Sequence, residues 1–482
     1  MNKWFSALVL ALCACSQVTP PAPYGACPTS AQVAWHRQEL LMFYHFGQAT
    51  FSGFDGENGT CNGTPWSEEL LLKNYAAHNL DVDQWVRVAA QNGFKEVILT
   101  AKHHDGFCLW DNPESTADIA NEACVNHLDV VGAVREACNK YGVNLGIYLS
   151  PWDRTIEVAG LDIATYEQKY KHAVNDLMTR YAPVVEFWFD GNHAGAFDWP
   201  SVNRAVLDVN PDCLIFSDGG PGCRWVGNEE GRAGETNWNT LNVEKRGITP
   251  GHAPGDYYTY LGQGDPGGSH WIPTECDFSI QNIGDPDGWF YDPTDRVKTP
   301  EELLAIYYTS VGRGGIFLMN VPPSPEGVIG PAEVASIEGF TALREKVFGT
   351  NLAQGASVQA SAERGKGYEA GLILDPDYDS YFAAPDGVQE VDLEVFLNGK
   401  KTFNRVMLQE YIPLGQRVES FKVEVHENGE WTAWEEGTTV GHKRILLGRS
   451  VTADAVRIHI KAQACPVING FGLYNDPIIN KL

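Results

Sequence analysis

From about residue 36 to 348, short apolar, β-rich runs alternate with amphipathic helical stretches, and this alternation restricts the fold more than any other feature of the chain. The strand runs are 41–47, 96–102, 144–150, 184–191, 213–218, 271–279 and 315–321. Between them, Val82, Trp85, Val86, Ala89 and Ala90 share one helical face, with Asp81 placed to cap the start, Gln84 three residues on and Gly93 as the stop. A second helix carries Val130, Val134, Ala137, Cys138 and Tyr141 up to Gly142; a third carries Tyr166, Tyr170, Ala173, Val174, Leu177 and Tyr181. Strands apolar on both faces and separated by helices are parallel βα units. Seven strands are visible, and an eighth is expected within 236–260. The α/β class with a (β/α)8 barrel suits this length, since such barrels use about 250 residues or more. No glycine-rich dinucleotide fingerprint follows the first strand, which argues against a doubly wound sheet.

After Pro322-Pro323 and a last helix near 331–347 the period changes to two, as at 405–409, 421–426 and 455–461, and Asn428-Gly429 is a two-residue hairpin signal. The expected division is a leader and tether at 1–22, a catalytic barrel at 23–348 and a C-terminal β-sandwich at 351–476. In the leader, Lys3 precedes an apolar run at 4–14, too short to span a membrane and of the length of an export signal. Leu12-Cys13-Ala14-Cys15-Ser16 resembles a bacterial lipobox with Cys15 as the lipidated residue; ordinary signal cleavage is the alternative. Either route predicts an exported protein, periplasmic or a cell-surface lipoprotein, with membrane attachment only through Cys15. Pro20–Pro23 would then be a short tether.

Sixty-two Asp and Glu face 35 Lys and Arg, a net charge of −27 that would be repelled by phosphate backbones and excludes nucleic acid as a partner. The 14 Trp, 19 Tyr and 21 Phe exclude a disordered acidic chain. Eleven cysteines show no CxxC and no zinc spacing, so several read as small buried hydrophobes, with Cys213–Cys223 or Cys108–Cys124 as candidate bridges.

The active site of such a barrel lies at the carboxyl ends of its strands. There the sequence places His45, then Lys102-His103-His104-Asp105, then Tyr148 and Trp152-Asp153, then Glu186-Phe187-Trp188-Phe189-Asp190-Gly191. Arg224-Trp225-Val226-Gly227-Asn228-Glu229 and Trp271-Ile272-Pro273-Thr274-Glu275 complete the set. Histidines, carboxylates and indoles at one mouth describe a sugar site. Glu186, inside its strand, reads as a paired structural carboxylate, whereas Asp190, ending a buried strand, reads as functional. Solvation accounts for two of the loop acids Glu229, Glu230 and Glu235. A metal cluster at His103-His104-Asp105 is disfavoured, because adjacent strand side chains point to opposite faces.

These residues resemble glycoside hydrolase family 29, the α-L-fucosidases, across nearly all of 36–348. The resemblance rests on Met42–Gly47, Lys102–Phe107, Phe187–Gly191, Arg224–Glu229 with Thr236 and Trp238, Trp271–Asp277, and Ser310–Arg313 with Asn320–Pro323. It implies an exo-acting, retaining hydrolase with Asp190 as nucleophile. Gly227-Asn228-Glu229 is similar to the α-1,3/1,4-specific members, which implies Glu229 as the acid/base, with Glu275 as runner-up. His45, Trp66, His103, His104 and Tyr148 match positions that hold fucose, and Trp271 and Glu275 are further binding candidates. The stretch Thr64-Pro65-Trp66-Ser67-Glu68 departs from the relatives that place Glu directly before Trp. His193, Asp198 and Trp199 are candidate contacts to the leaving sugar. Two carboxyls and a polar cage imply no metal and no organic cofactor, and fucosylated oligosaccharides or glycoconjugates as partners. The C-terminal domain resembles galactose-binding-like, discoidin-type modules. Rival expectations are an α-1,2-fucoside or another α-L-sugar as substrate, a silent glycan-binding protein, and a metal-dependent hydrolase.

Overall fold

The computed structural model describes residues 18–52, 60–61, 64–190, 197–217, 220–242, 255–281 and 289–479. The leader, with Cys13 and Cys15, lies outside the described residues, as do Gly191 and His193. Eight parallel strands close a barrel in sequential order: β1 Leu40–Tyr44, β2 Glu96–Lys102, β3 Asn144–Leu149, β4 Glu186–Trp188, β5 Leu214–Ser217, β6 Cys223–Trp225, β7 Thr274–Ser279 and β8 Ile316–Asn320. The helices around it include α1 Ser30–His36, α2 Val82–Gln91, α3 Val130–Tyr141, α4 Ile163–Arg180, α5 Trp199–Leu207, α6 Pro300–Thr309 and α7 Pro331–Phe348. Among the described residues no helix is long and apolar enough to cross a membrane.

Helix boundaries follow local chemistry. The Asp81 carboxylate accepts from Gln84 N at 3.1 Å to start α2, and Asp129 does the same for α3 through Gly132 N at 2.8 Å. Gly142 ends α3 at φ 68°, a left-handed conformation that costs a residue without Cβ nothing. Side chains of alternate strand residues then sort into two cores. Met42, Tyr44, Val97 and Leu99 face the helices, where full burial of one large apolar side chain stabilises by about 1.5–3 kcal/mol. Leu41, Phe43, Ile98, Tyr148, Trp188, Phe216 and Leu318 face inward, and Trp35 of α1 closes the amino end of the barrel beneath them.

The eighth strand is Cys223–Trp225, not a segment of 236–260. It escapes a periodicity reading because it is three residues long, contains Arg224, and follows β5 after only five residues, too few for a crossover helix. Gly222 makes that turn feasible, since a Cβ there would lie 2.4 Å from Ile215 N. Within 236–260 the chain instead forms Thr240–Leu241, paired antiparallel with His270–Trp271 outside the barrel, and the helix Gly255–Gln263. The seventh strand likewise starts at Thr274, not at 271.

The C-terminal strands fold as the expected β-sandwich. Its strands are β9 Ser357–Ala360, β10 Phe382–Ala383, β11 Glu390–Glu410, β12 Val418–Glu427, β13 Glu430–Gly437, β14 Arg444–Ala462 and β15 Val467–Tyr474. β11 and β14 are long and change register between Phe396 and Lys401 and again near Phe403, so their two halves serve different layers. Asn428 and Gly429 turn the β12–β13 hairpin with φ 54° and 88°. The described part of the expected tether is bound rather than free: Arg364 donates to Thr19 O at 2.9 Å and Arg417 to Ala22 O at 2.7 Å. Neither candidate disulfide forms. Cys108 and Cys124 turn to the Gly106 and Asp118 carbonyls, and Cys223 faces two carboxyls inside the barrel.

The two domains join through buried polar groups. Arg405 pairs with Asp476 at 3.0 Å, both without solvent exposure, and Tyr308 of α6 donates to the same carboxylate at 2.8 Å. Gln416 accepts from Asn239 N at 2.8 Å and donates to Asn237 O at 2.9 Å. Removing one partner strands the other charge in the interior. Asp476→Ala is therefore expected to lower unfolding free energy by about 3–5 kcal/mol, read as a reduced urea midpoint.

Candidate active site

At the carboxyl end of β4, Asp190 presents a carboxylate with about a third of its side chain open to solvent (34%). Tyr148, from β3, donates its hydroxyl to Asp190 Oδ2 at 2.7 Å, and His104 Nε2 lies 3.4 Å from the same oxygen. Ser150 holds the other side of that imidazole, with Oγ 2.6 Å from Nδ1. The strand end itself is anchored from outside, because Tyr170 of α4 donates to Leu149 O at 2.5 Å and Tyr166 to Pro151 O at 2.7 Å.

His103 and His104 both reach this mouth despite being adjacent. β2 stops at Lys102, and the chain then turns, with Gly106 N bonded to His103 O at 3.1 Å, so strand alternation no longer applies. Only glycine fits at 106: φ is +92° and a Cβ would lie 2.5 Å from Asp153 Oδ1. The His103 ring stacks on Tyr148 at 5.5 Å and 8°, with Phe290 edge-on at 5.0 Å. His45, ending β1, is buried with Nδ1 2.9 Å from Asn320 Oδ1, and burial beside His103 pushes its pKa well down. A neutral imidazole at this position accepts or donates according to tautomer.

Glu229 sits on the loop after β6. Gly227, at φ 89°, makes the turn, and Asn228 accepts from Glu230 N at 3.1 Å while donating to Arg232 O at 2.8 Å. These contacts leave Glu229 exposed at the rim but crowded by protein below. Desolvation and then the Asp190 charge raise its pKa, and a hydrogen bond with Trp289 opposes them. Of its neighbours, Glu230 pairs with Arg232 and Glu235 with Arg313, so only Glu229 of the three faces the site. Beneath it lies Asp277 on β7, buried, accepting from Trp225 Nε1 at 2.9 Å. Burial and then the nearby Glu229 charge push the Asp277 pKa well up.

Two residues expected at the mouth are elsewhere. Trp271 precedes β7, at the amino end of the barrel, where its carbonyl accepts from Gln32 at 2.9 Å. Glu275 is the second residue of β7 and fully buried in the interior, bonded to Trp188 Nε1 at 2.8 Å. Reading that strand as 271–279 had placed its wrong end at the site. Trp66 follows the long β1 connection and packs on the core, its indole N–H without a partner among the described residues. Asp198 and Trp199 begin α5, the indole packed on Phe189 at 5.5 Å. Trp289 and Phe290 were not anticipated, since they follow a stretch with no strand or helix pattern; Asn320 belonged to a stretch that carries the family resemblance, but no site role was assigned to it.

Two groups of ligand-type atoms lie within 4.8 Å of one another among the described residues: His103, His104 and Asp190, and Glu186, Cys223 and Glu275. Asp105 belongs to neither; its oxygens accept from Gln48 Nε2 at 2.7 Å and Phe107 N at 2.6 Å. The His103-His104-Asp105 set weighed from sequence is therefore not assembled.

The sequence profile of the α-L-fucosidase family matches residues 31–343, and that of the F5/8 type C domain matches 357–473. The chain belongs to glycoside hydrolase family 29, the α-L-fucosidases. It is 35% identical to α-L-fucosidase 1 of Arabidopsis thaliana over 473 residues, 95% of this chain and 89% of that protein. A Bacteroides thetaiotaomicron structure superimposes with a TM-score of 0.85 at 34% identity, covering 95% of this chain and 100% of the other. A Ruminococcus gnavus family 29 fucosidase, solved in complex with fucose, gives 0.82 at 28% identity, with 95% and 97% covered. This α-L-fucosidase is thus a glycoside hydrolase whose mouth carries an exposed Asp and a crowded Glu. Removing the Asp190 charge in Asp190→Asn should lower the Glu229 pKa, and Trp289→Phe should raise it; titration of 13C-carboxyl-labelled Glu229 by NMR reads both shifts.

Proposed function

We propose that this family 29 enzyme is exo-acting and retaining, removing α-1,3/1,4-linked L-fucose from branched glycans by double displacement. The reading is supported by Glu229 on the rim of the mouth that holds Asp190, where burial and then the Asp190 charge push the Glu229 carboxyl toward its protonated form. A retaining pair needs one ionised carboxylate and one acid at neutral pH, about 5–5.5 Å apart. In this mechanism Asp190 attacks the anomeric carbon while Glu229 protonates the departing glycosidic oxygen. Glu229, now ionised, then takes a proton from water, which opens the fucosyl ester and returns Asp190 to the carboxylate. Tyr148 and His104 hold Asp190 in line for attack, and Trp66, His45 and His103 contribute indole and imidazole groups for the sugar's hydroxyl and methyl faces. The Gly227-Asn228-Glu229 resemblance supports the branched linkage. The apolar run after Lys3 supports export.

The pair is tested by substitution. Asp190→Gly should remain folded and lose at least about 10³-fold in kcat, with azide restoring turnover and giving fucosyl azide of inverted configuration. Glu229→Ala should lose about 10²–10⁴-fold on natural glycans and far less on aryl fucosides whose leaving groups need no proton. Free fucose from a Lewis-type trisaccharide but not from fucosyl-α-1,2-galactose, unchanged by chelator, establishes the linkage; equal release from both overturns it, and loss on chelation would instead indicate a metal at His103, His104 and Asp190.

A further inference from the structure

Glu275 is far too deep to touch substrate, yet it is built into a continuous line that ends at the proposed nucleophile. Its Oε1 accepts from Trp188 Nε1 at 2.8 Å. The Trp188 indole is clamped flat against Phe216, with centroids 3.6 Å apart and planes 3° from parallel. Phe43 stands edge-on to the indole at 5.2 Å, and the Tyr148 ring lies beside it at 5.6 Å and 29°. Tyr148 in turn donates to Asp190 Oδ2 at 2.7 Å. Asp190 follows the end of β4, two residues after Trp188, and meets the Tyr148 hydroxyl whose ring stands beside the indole.

The base of the line is fixed as well. Glu186, two residues before Trp188, accepts from Trp35 Nε1 of α1 at 2.6 Å and hydrogen-bonds Glu275. Two fully buried carboxyls in contact can coexist only by sharing a proton, since two adjacent charges there would be prohibitive. Glu275 is thereby held from one side by Glu186 and holds the indole on the other. A carboxyl is not needed merely to fill this space; a leucine would fill it and leave the indole N–H without an acceptor.

We infer that Glu275 is a positioning residue for the hydrolytic reaction, setting the orientation of Asp190 through the Trp188 indole and the Tyr148 hydroxyl. This rests on Asp190 being the nucleophile. It assigns a role in catalysis to a residue at the opposite end of the strands from the mouth. The acceptor matters rather than the charge, so Gln is the conservative replacement: its carbonyl takes the indole N–H and its amide donates to Glu186.

The test compares Glu275→Leu, Glu275→Gln, Trp188→Phe and Tyr148→Phe with an aryl fucoside, in the full chain. Glu275→Leu should lose about 10–100-fold in kcat with KM within about twofold of the parent, and Glu275→Gln should recover most of the loss. Trp188→Phe, which keeps a ring but removes the N–H, should show the same kcat-only loss, and it decides the matter if Glu275→Leu does not fold. Because the line acts through one hydroxyl, Glu275→Leu combined with Tyr148→Phe should lose no more kcat than the larger single loss. Unchanged kcat in folded Glu275→Leu or in Trp188→Phe, a loss confined to KM, or multiplicative losses in the double variant would each overturn the inference. Azide rescue of Asp190→Gly is read separately: its failure removes the nucleophile assignment, whereas its success beside an unchanged Glu275→Leu removes only the positioning role.

Discussion

Taking a carboxylate out of water costs several kcal/mol unless hydrogen bonds, a proton or a counter-ion compensate, and among the described residues this barrel carries Glu96, Glu186, Glu275 and Asp277 inward. Each has a donor aimed at it. Gln38 reaches Glu96 at 2.9 Å, Trp35 reaches Glu186, Trp188 reaches Glu275 and Trp225 reaches Asp277. Three of the four donors are indoles, which supply an N–H without bringing a second charge. Burial raises the pKa of all four, and Glu275 is pushed to about 7. Burial thus acts on all four of these carboxyls, whereas the partly exposed Asp190 above them has solvent beside it. Period-two alternation on β4 and β7 is what stacks these groups in columns instead of scattering them.

Arg224 shows the complementary solution for a cation. It is fully buried and meets no carboxylate among the described residues; its guanidinium donates to Leu261 O at 2.7 Å, Trp238 O at 2.8 Å, Asn237 Oδ1 at 3.1 Å and the carbonyl of Ile272. Desolvation lowers its pKa to about 9, so these carbonyl dipoles carry the task of keeping it charged. By gathering three segments, at 237–238, 261 and 272, it fixes β6, and with it the loop that presents Glu229.

How much of this was legible in the sequence depended on element length. Helices such as α2 and α4 repeat their apolar positions often enough to be read, and Asp81 and Gly142 mark ends through chemistry local to the chain. β6, at three residues, has no period to detect, and its partners lie in segments remote in sequence. The same limit governed the site. His45, His103, His104, Tyr148 and Asp190 lie at or near strand ends and meet at the mouth; β4 is as short as β6, but the apolar run at 184–189 around it marks its place. Trp271 and Glu275 were misplaced because they open their strand rather than close it, and that opening lies at the amino end of the barrel. The pairing of Glu186 with Glu275 is long-range, and neither residue's surroundings in sequence announce it.

The five-residue connection between β5 and β6 leaves that part of the barrel without a helix of its own. Segment 235–240 lies there, and it is gripped by the sandwich: Thr439 accepts from Asn237 N at 2.8 Å, Arg444 donates to Glu235 O at 2.6 Å, and Gln416 binds both Asn237 and Asn239. The C-terminal domain is thus part of the barrel's outer wall rather than an appendage on a linker. Two regions that sequence profiles separate cleanly are, in physical terms, not interchangeable cassettes, and divergence in either one is constrained by the surface of the other.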